Sequence, residues 1–144
     1  MKIVRLQTND DEQLTALFKA FHFKNHELNN TNFLANPYNY LFVAYESSEP
    51  VGYLFGYELE RPETKRPIFF IYDIEVRETQ RRKGIATALI EAFMRVCKEK
   101  NGSEIFVLTN AANSPALNLY RKTGGVRENE DDVMFVYNIT QTGS

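Results

Sequence analysis

Ile68-Phe69-Phe70-Ile71-Tyr72-Asp73-Ile74-Glu75-Val76, followed by Arg77-Glu78-Thr79-Gln80-Arg81-Arg82-Lys83-Gly84-Ile85-Ala86-Thr87-Ala88-Leu89-Ile90, decides the fold. The first nine residues are largely apolar and aromatic and predict a strand. A basic turn containing one glycine follows. Beyond it, Ile85, Leu89, Phe93 and Cys97, flanked by Ala86, Ile90 and Met94, form a broad apolar stripe that predicts a helix up to Lys100. Asn101-Gly102 supplies its C-terminal stop. Ile105 to Leu108 then reads as a short strand. Residues 68–109 are therefore a βαβ unit, and its crossover makes the two strands parallel.

Working outward, the N-terminal side predicts a strand at Ile3–Leu6 and a helix bearing Leu14, Leu17, Phe18 and Phe21 on one face. Residues 22–38, rich in Asn and broken by Pro37, predict short helical turns and loop. Leu41–Tyr45 and Val51–Leu59 read as a hairpin across Glu46–Pro50, and Arg61–Pro67 as a polar turn. On the C-terminal side, Ser114-Pro115 opens a helix, with Ser114 as N-cap, that ends near Gly124-Gly125. Val133–Ile139 reads as a closing strand. The expectation is one domain over residues 1–144, of α/β (α+β) class. Its sheet is mixed, twisted and mostly antiparallel.

The totals agree with a self-sufficient core: 144 residues, 43% hydrophobic, with 11 Phe and 8 Tyr. No stretch approaches 18 apolar residues, and no apolar run follows the first charges, so neither a membrane span nor a secretory signal is expected. The single Cys97 agrees with a reducing, cytoplasmic setting. Two His and one Cys offer no zinc-ligand set, and no metal is expected. With 17 basic against 19 acidic residues, the composition argues against a nucleic-acid partner. Basic residues gather at Arg77–Lys83, and acidic ones at Glu128–Asp132.

Arg81, Arg82, Lys83 and Gly84 precede a helix N-terminus, where free backbone N–H groups and the helix dipole favour anions. Gly84 lets the backbone approach a ligand closely, and Ala86 keeps the first turn uncrowded. The alternative is a solvated basic turn. A P-loop is excluded because G-x-x-x-x-G-K-[ST] is absent, and a dinucleotide site fits poorly without G-x-G-x-x-G. Composition and spacing alone stop at an anion site.

Two motifs go further. Arg81-x-x-Gly84-x-Ala86 resembles the acetyl-CoA pyrophosphate signature [RQ]-x-x-G-x-[GA] of the GNAT superfamily of N-acetyltransferases. Asn113-x-x-Ala116-x-x-x-Tyr120-x-x-x-Gly124 resembles that family's second signature. The resemblance implies a GNAT fold with about six to seven strands and helices on both faces. Tyr72-Asp73 within the strand, with the helix start after it, is similar to the GNAT-type aminoglycoside 3-N-acetyltransferases. Two features depart from that subgroup: Asn110-Ala111-Ala112-Asn113 carries no acidic residue, and Gly125-Val126 stands for the more usual Gly-Phe.

By this resemblance acetyl-CoA is the cosubstrate. Ile74, Glu75 and Val76 pair with its pantetheine arm, and one N–H there polarises the thioester carbonyl. Arg81, Arg82, Lys83, Gly84, Ile85, Ala86 and Thr87 hold the pyrophosphate, mainly through backbone N–H, and Asn113 contacts the arm. Asp73 takes the proton of the acceptor amine, with Glu75 as the alternative, since alternation puts both on one face unless a bulge separates them. Tyr120 is the general acid, and Tyr72 lines the acceptor pocket. Cys97 is read as packing, and His22 and His26 as surface residues. The implied acceptor is a small-molecule amine of aminoglycoside type, with polyamines, amino acids and peptide amines as alternatives. An idle coenzyme A-binding regulator would lack the acid and base. Domains of this family often pair through sheet edges or last strands, so the resemblance also admits a homodimer.

Overall fold

A computed structural model of the chain describes residues 1–23 and 32–139. The elements run β1 (Lys2–Arg5), α1 (Asp11–Ala20), α2 (Asn32–Ala35), β2 (Asn39–Glu46), β3 (Glu49–Arg61), β4 (Thr64–Val76), α3 (Ile85–Glu99), β5 (Glu104–Val107) and α4 (Ser114–Lys122). The five strands form one sheet in the order β1-β2-β3-β4-β5, antiparallel except for the parallel β4–β5 pair. Crossover through α3 is what makes that last pair parallel, as the βαβ pattern requires.

Alternation along β2 shows how the sheet is covered. Tyr40, Phe42 and Ala44 point into the core beneath α3, while Leu41 and Val43 point into a second core beneath α1 and α2. A strand buried on both faces needs an unbroken apolar run, and residues 40–44 are one. The stripe on α3 does the rest: Ile85, Leu89, Phe93 and Cys97 are all buried against the first core. Among the described residues no helix is long and apolar enough to cross a membrane.

Four expectations are corrected. The sheet has five strands rather than six or seven, because Val133–Ile139 is outside it and exposed. The polar turn expected over 61–67 shrinks, since β3 extends to Arg61 and β4 starts at Thr64. Arg61 and Thr64 face each other in the ladder, leaving Pro62 and Glu63 as the turn. The β2–β3 turn is equally tight. Ser47 and Ser48 both take positive φ, 48° and 72°, the geometry whose twist matches a two-residue hairpin. The N-cap of α4 is Asn113, whose Oδ1 accepts from the Ala116 N–H at 3.2 Å, and Ser114 and Pro115 are the first two helical residues. Of the loop region expected over 22–38, residues 24–31, including His26, lie outside the described residues. His22 is exposed, in the turn after α1.

At Gly56, β3 leaves no room for a side chain beneath α3. A Cβ there would press on the Phe70 carbonyl oxygen and stand 3.0 Å from the Phe93 ring. Neither neighbour can retreat, because Phe93 is fully buried and Phe70 lies in the ladder. Gly56→Ala is expected to destabilise the protein by about 1–3 kcal/mol, the usual range for overpacking, as measured by urea denaturation.

Candidate active site

The pairing of β4 with β5 ends at Ile71↔Val107, yet β4 continues to Val76. Among the described residues, Tyr72 to Val76 thus have β3 on one side and no strand on the other. Backbone groups on that side are free to pair with an extended ligand. A bulge begins the divergence: Phe55 faces Asp73 and Gly56 faces Ile71, so Tyr72 is the extra residue on β4. Bulges bend a strand and increase its twist. Between the separated strands lies a cleft of about 810 Å³, walled by β4, the start of α3, residues 107–109 and α4.

One end of the cleft is the α3 N-terminus. Gly84 is its N-cap at φ 79°, and among the described residues no side chain caps the first turn. Arg82 also takes a positive φ, 66°, which a non-glycine residue adopts at some cost. The Arg81 Nε donates to the Val76 carbonyl oxygen at 3.2 Å and ties the turn to the end of β4. Together these place a helix N-terminus and cationic side chains on one wall of the cleft, a setting whose charge suits an anion. Lys83 is the exception among the expected residues. It is not part of the cleft wall, and its Nζ donates to Gln80 Oε1 at 3.2 Å. The other thirteen expected residues, Tyr72, Asp73, Ile74, Glu75, Val76, Arg81, Arg82, Gly84, Ile85, Ala86, Thr87, Asn113 and Tyr120, all line it.

The family model described as the acetyltransferase (GNAT) family matches residues 6–125. The chain belongs to the GNAT acetyltransferase family. An N-alpha-acetyltransferase of Sulfurisphaera tokodaii is 39% identical over 90 residues, 58% of this chain and 54% of the relative. The chain thus spans about half the length of the curated relative it matches. An aminoglycoside acetyltransferase from an uncultured soil metagenomic sample, solved in complex with trehalose, is similar over 96% of both chains, with 35% identity and a TM-score of 0.83. Its complex with sisomicin gives 31% identity, the same coverage and a TM-score of 0.84.

In this GNAT chain the bulge settles the relation of the two carboxylates. It lies before Asp73 and not between Asp73 and Glu75, so alternation leaves both on one face. The Tyr53 hydroxyl, which sequence reasoning missed, reaches both. It donates to Asp73 Oδ2 at 2.7 Å and lies 3.4 Å from Glu75 Oε2. Tyr53 is buried at 1% exposure. Burial first, and then the hydrogen bond to Asp73, push its pKa far above the tyrosine range, so the phenol stays a donor. Tyr120, half-buried on α4, is also pushed up, by burial and by the charge of Asp73. The sequence signal for Tyr53 was weak, because an aromatic in a strand reads as core. Only the β3–β4 register puts it opposite Glu75.

Asn113 serves two ends. Its Oδ1 caps α4, which leaves its amide nitrogen as the group available to a ligand. Cys97 is buried and its thiol is pushed up by burial, which suits packing and not nucleophilic chemistry.

Removing the Tyr53 hydroxyl leaves a buried phenyl ring and a carboxylate without its donor. Tyr53→Phe is expected to lose about 1.5–3 kcal/mol at neutral pH, the range for hydrogen bonds to charged groups. Because the folded-state pKa of Tyr53 is raised, its contribution is fully present below about pH 10, the unfolded value, and is lost as pH rises toward the folded one. The gap between wild type and Tyr53→Phe should be constant from pH 7 to that point and narrow above it. Chemical denaturation across the series measures this.

Proposed function

We propose that this GNAT chain moves an acetyl group from acetyl-CoA to a primary amine of a small polycation, of aminoglycoside or related aminocyclitol class. The observation that carries the proposal is one cleft with opposite electrostatics along its wall. Uncapped N–H groups and arginines meet an anion at the α3 N-terminus, while Asp73 and Glu75 offer negative charge to an ammonium. A coenzyme thioester with a diphosphate at one end and an acyl group at the other suits that layout. The soil-metagenome enzyme bound to sisomicin supports the acceptor class. The Tyr72-Asp73 pair supports the 3-N subgroup.

The residues present suit the coenzyme. The first turn of α3, with Arg81 and Arg82, would hold the diphosphate. The free edge of Tyr72–Val76 would pair with the extended arm, and the Asn113 amide would support it. The coenzyme supplies an activated acyl carbon. The chain's own work is to manage protons and charge. An amine must be neutral to attack, and Asp73 accepts its proton, directly or through water. Tyr53 holds that carboxylate in place from below by its 2.7 Å hydrogen bond. Glu75, within 3.4 Å of the same hydroxyl, adds a second negative charge that attracts a cationic acceptor. Tyr120 keeps a proton on its phenol oxygen inside the cleft, available to a departing thiolate. Tyr72, 61% exposed and 5.1 Å from Phe55 between ring centres, gives the acceptor an aromatic wall.

A second reading is favoured by the 39% identity to an N-alpha-acetyltransferase over 90 residues: the acceptor would then be the N-terminal amine of a peptide.

A thiol-release assay with acetyl-CoA separates the two, run against aminoglycosides of the sisomicin type, spermidine and peptides with free N-termini. The expected outcome is turnover of the aminoglycosides, reduced about 10²–10⁴-fold in Asp73→Asn, the usual worth of a positioned base. Turnover of peptides alone overturns the first reading in favour of the second.

The raised pKa of Tyr120 adds a pH signature. A group that must stay protonated and titrates above its ordinary value loses function only as pH climbs past that value. The alkaline fall of kcat assigned to Tyr120 should therefore begin above about pH 10, and be absent from Tyr120→Phe, whose kcat is lower throughout. A wild-type fall near pH 8 that persists in Tyr120→Phe would remove Tyr120 from the acid's role.

A further inference from the structure

Beneath α1 and α2, on the sheet face away from α3, the second core is not completely filled. A cavity of about 180 Å³ remains there, and nine of the described residues line it, every one a leucine, phenylalanine or tyrosine. Leu14, Leu17 and Leu41 are buried, and Phe18, Phe33 and Phe55 are partly buried around it. Aromatic contacts brace the wall: Phe18 stacks on Phe23 at 4.9 Å, and Phe33 meets Phe55 edge-on at 5.9 Å and Tyr57 at 6.0 Å. Among the described residues no charged side chain belongs to that wall, and the Tyr53 hydroxyl is spent on Asp73.

The cavity adjoins the cleft through shared residues. Tyr53 lines the cavity and donates to Asp73 Oδ2 at 2.7 Å, and Phe55 lines it and faces Asp73 in the β3–β4 ladder. Tyr72, on the cleft wall, has its ring 5.1 Å from that of Phe55. Two carboxylates thus stand next to a hydrocarbon-lined hole. That pairing matches a ligand with an ammonium at one end and an apolar group at the other. A charged or hydroxyl-covered group inside the cavity would give up water and find no partner, so hydrocarbon alone suits it. Size narrows the choice further. A cavity of about 150 Å³ lined by Leu, Ile and Phe takes up benzene, so this one has room for a phenyl or branched alkyl group.

We propose that the cavity seats the apolar arm of an acceptor amine, a phenyl or branched alkyl group on a short chain, while the ammonium of the same molecule meets Asp73. The chain then acetylates apolar primary amines, a chemistry shared by free arylalkylamines and by amino-terminal residues with side chains such as Phe or Leu. The inference rests on acetyl transfer at Asp73 and goes beyond the polycation, whose charged groups would leave the cavity empty. The step balances without a further reactant. One ammonium proton leaves through Asp73 to water. The neutral nitrogen bonds to the acetyl carbon as the thioester C–S bond breaks. The nitrogen then releases a second proton, and the sulfur leaves as a thiol with a proton from Tyr120, which is restored in turn. Leu14 and Phe33 shape the seat and touch no reacting atom, so they set specificity and not chemistry.

The test uses the full chain, with phenylalaninamide and 2-phenylethylamine set against glycinamide and methylamine, which carry the amine without the arm. Calorimetry with coenzyme A present reads binding without turnover, and thiol release from acetyl-CoA reads turnover. Both should favour the armed amines by about 10- to 100-fold, the worth of burying one side chain of that size. Leu14→Phe, or Phe33→Trp where the first does not fold, fills the cavity. It should remove most of that preference and leave turnover of glycinamide unchanged. Whichever armed amine is the better acceptor tells a free amine from an amino-terminal residue as the source. Equal binding of armed and armless amines overturns the inference, whatever is acetylated. So does a preference that survives in a folded, filled variant, since the arm then lodges elsewhere. Preferential binding with no turnover of any amine overturns the acetyl-transfer reading instead.

Discussion

The end of β4–β5 pairing at Ile71↔Val107 is the constraint on which the rest of the structure depends. A parallel pair that continued would satisfy the backbone of Tyr72–Val76 internally and fill the cleft with sheet. Because it stops, five residues of a central strand keep one side unspent, and burial of that side must be completed by something else. The bulge at Tyr72 and the loop from β5 to α4 hold the two strands apart, so the opening is built into the fold and does not depend on a moving part. α3 begins beside the opening because the turn from Arg77 to Gly84 is short and is tied back to Val76 by Arg81. The anion site and the free strand edge are thus consequences of one topological event.

The same bulge fixes the chemistry at the other end. An extra residue shifts the alternation of β4 by one, so side chains after Tyr72 exchange faces relative to those before it. Phe69 and Ile71 point to the α3 core, and after the shift Ile74 and Val76 do. Asp73 and Glu75 are thereby delivered to the opposite face, over Tyr53. Two neighbouring carboxylates repel, and burial of either would cost more than a phenol returns. Glu75 is exposed and Asp73 half-exposed, while the donor beneath them is buried. The charges keep water, and their position is set from below.

Much of this was legible in the sequence. The α3 stripe, the βαβ order and the two signatures needed only spacing of three to four residues and local chemistry, and thirteen of the fourteen expected residues do line one cleft. What was missed depended on register. Tyr53 has no local mark that separates it from Tyr40, which is also buried and instead donates to Glu58 at 2.8 Å. The bulge is equally silent, since Tyr72 is an ordinary strand residue by propensity. The β3–β4 turn was read too wide because polar Arg61, Thr64, Lys65 and Arg66 look like loop. In the structure they are the solvated ends of two long strands, and Arg61 is drawn in by Ser103 Oγ at 2.8 Å. Lys83 stands outside the cleft wall, its flexible ammonium taken up by Gln80 Oε1 at 3.2 Å.

The tail shows where local reading ends. Its pattern reads as a strand, yet Val133–Tyr137 joins no sheet and takes no regular secondary structure. Propensity has no term for whether such a run finds a sheet edge at all. That choice is made by the connection from Gly124 onward. Gly124 at φ 99° and the Gly125 N–H bonded to the Tyr120 carbonyl at 2.7 Å end α4 sharply and set the direction in which the chain leaves. Arg127 to Asp132 are charged except for Asn129, so they stay in water and carry the apolar residues beyond the body. After this acidic, solvated spacer the apolar run Val133–Tyr137 belongs to neither core and stands exposed along its length.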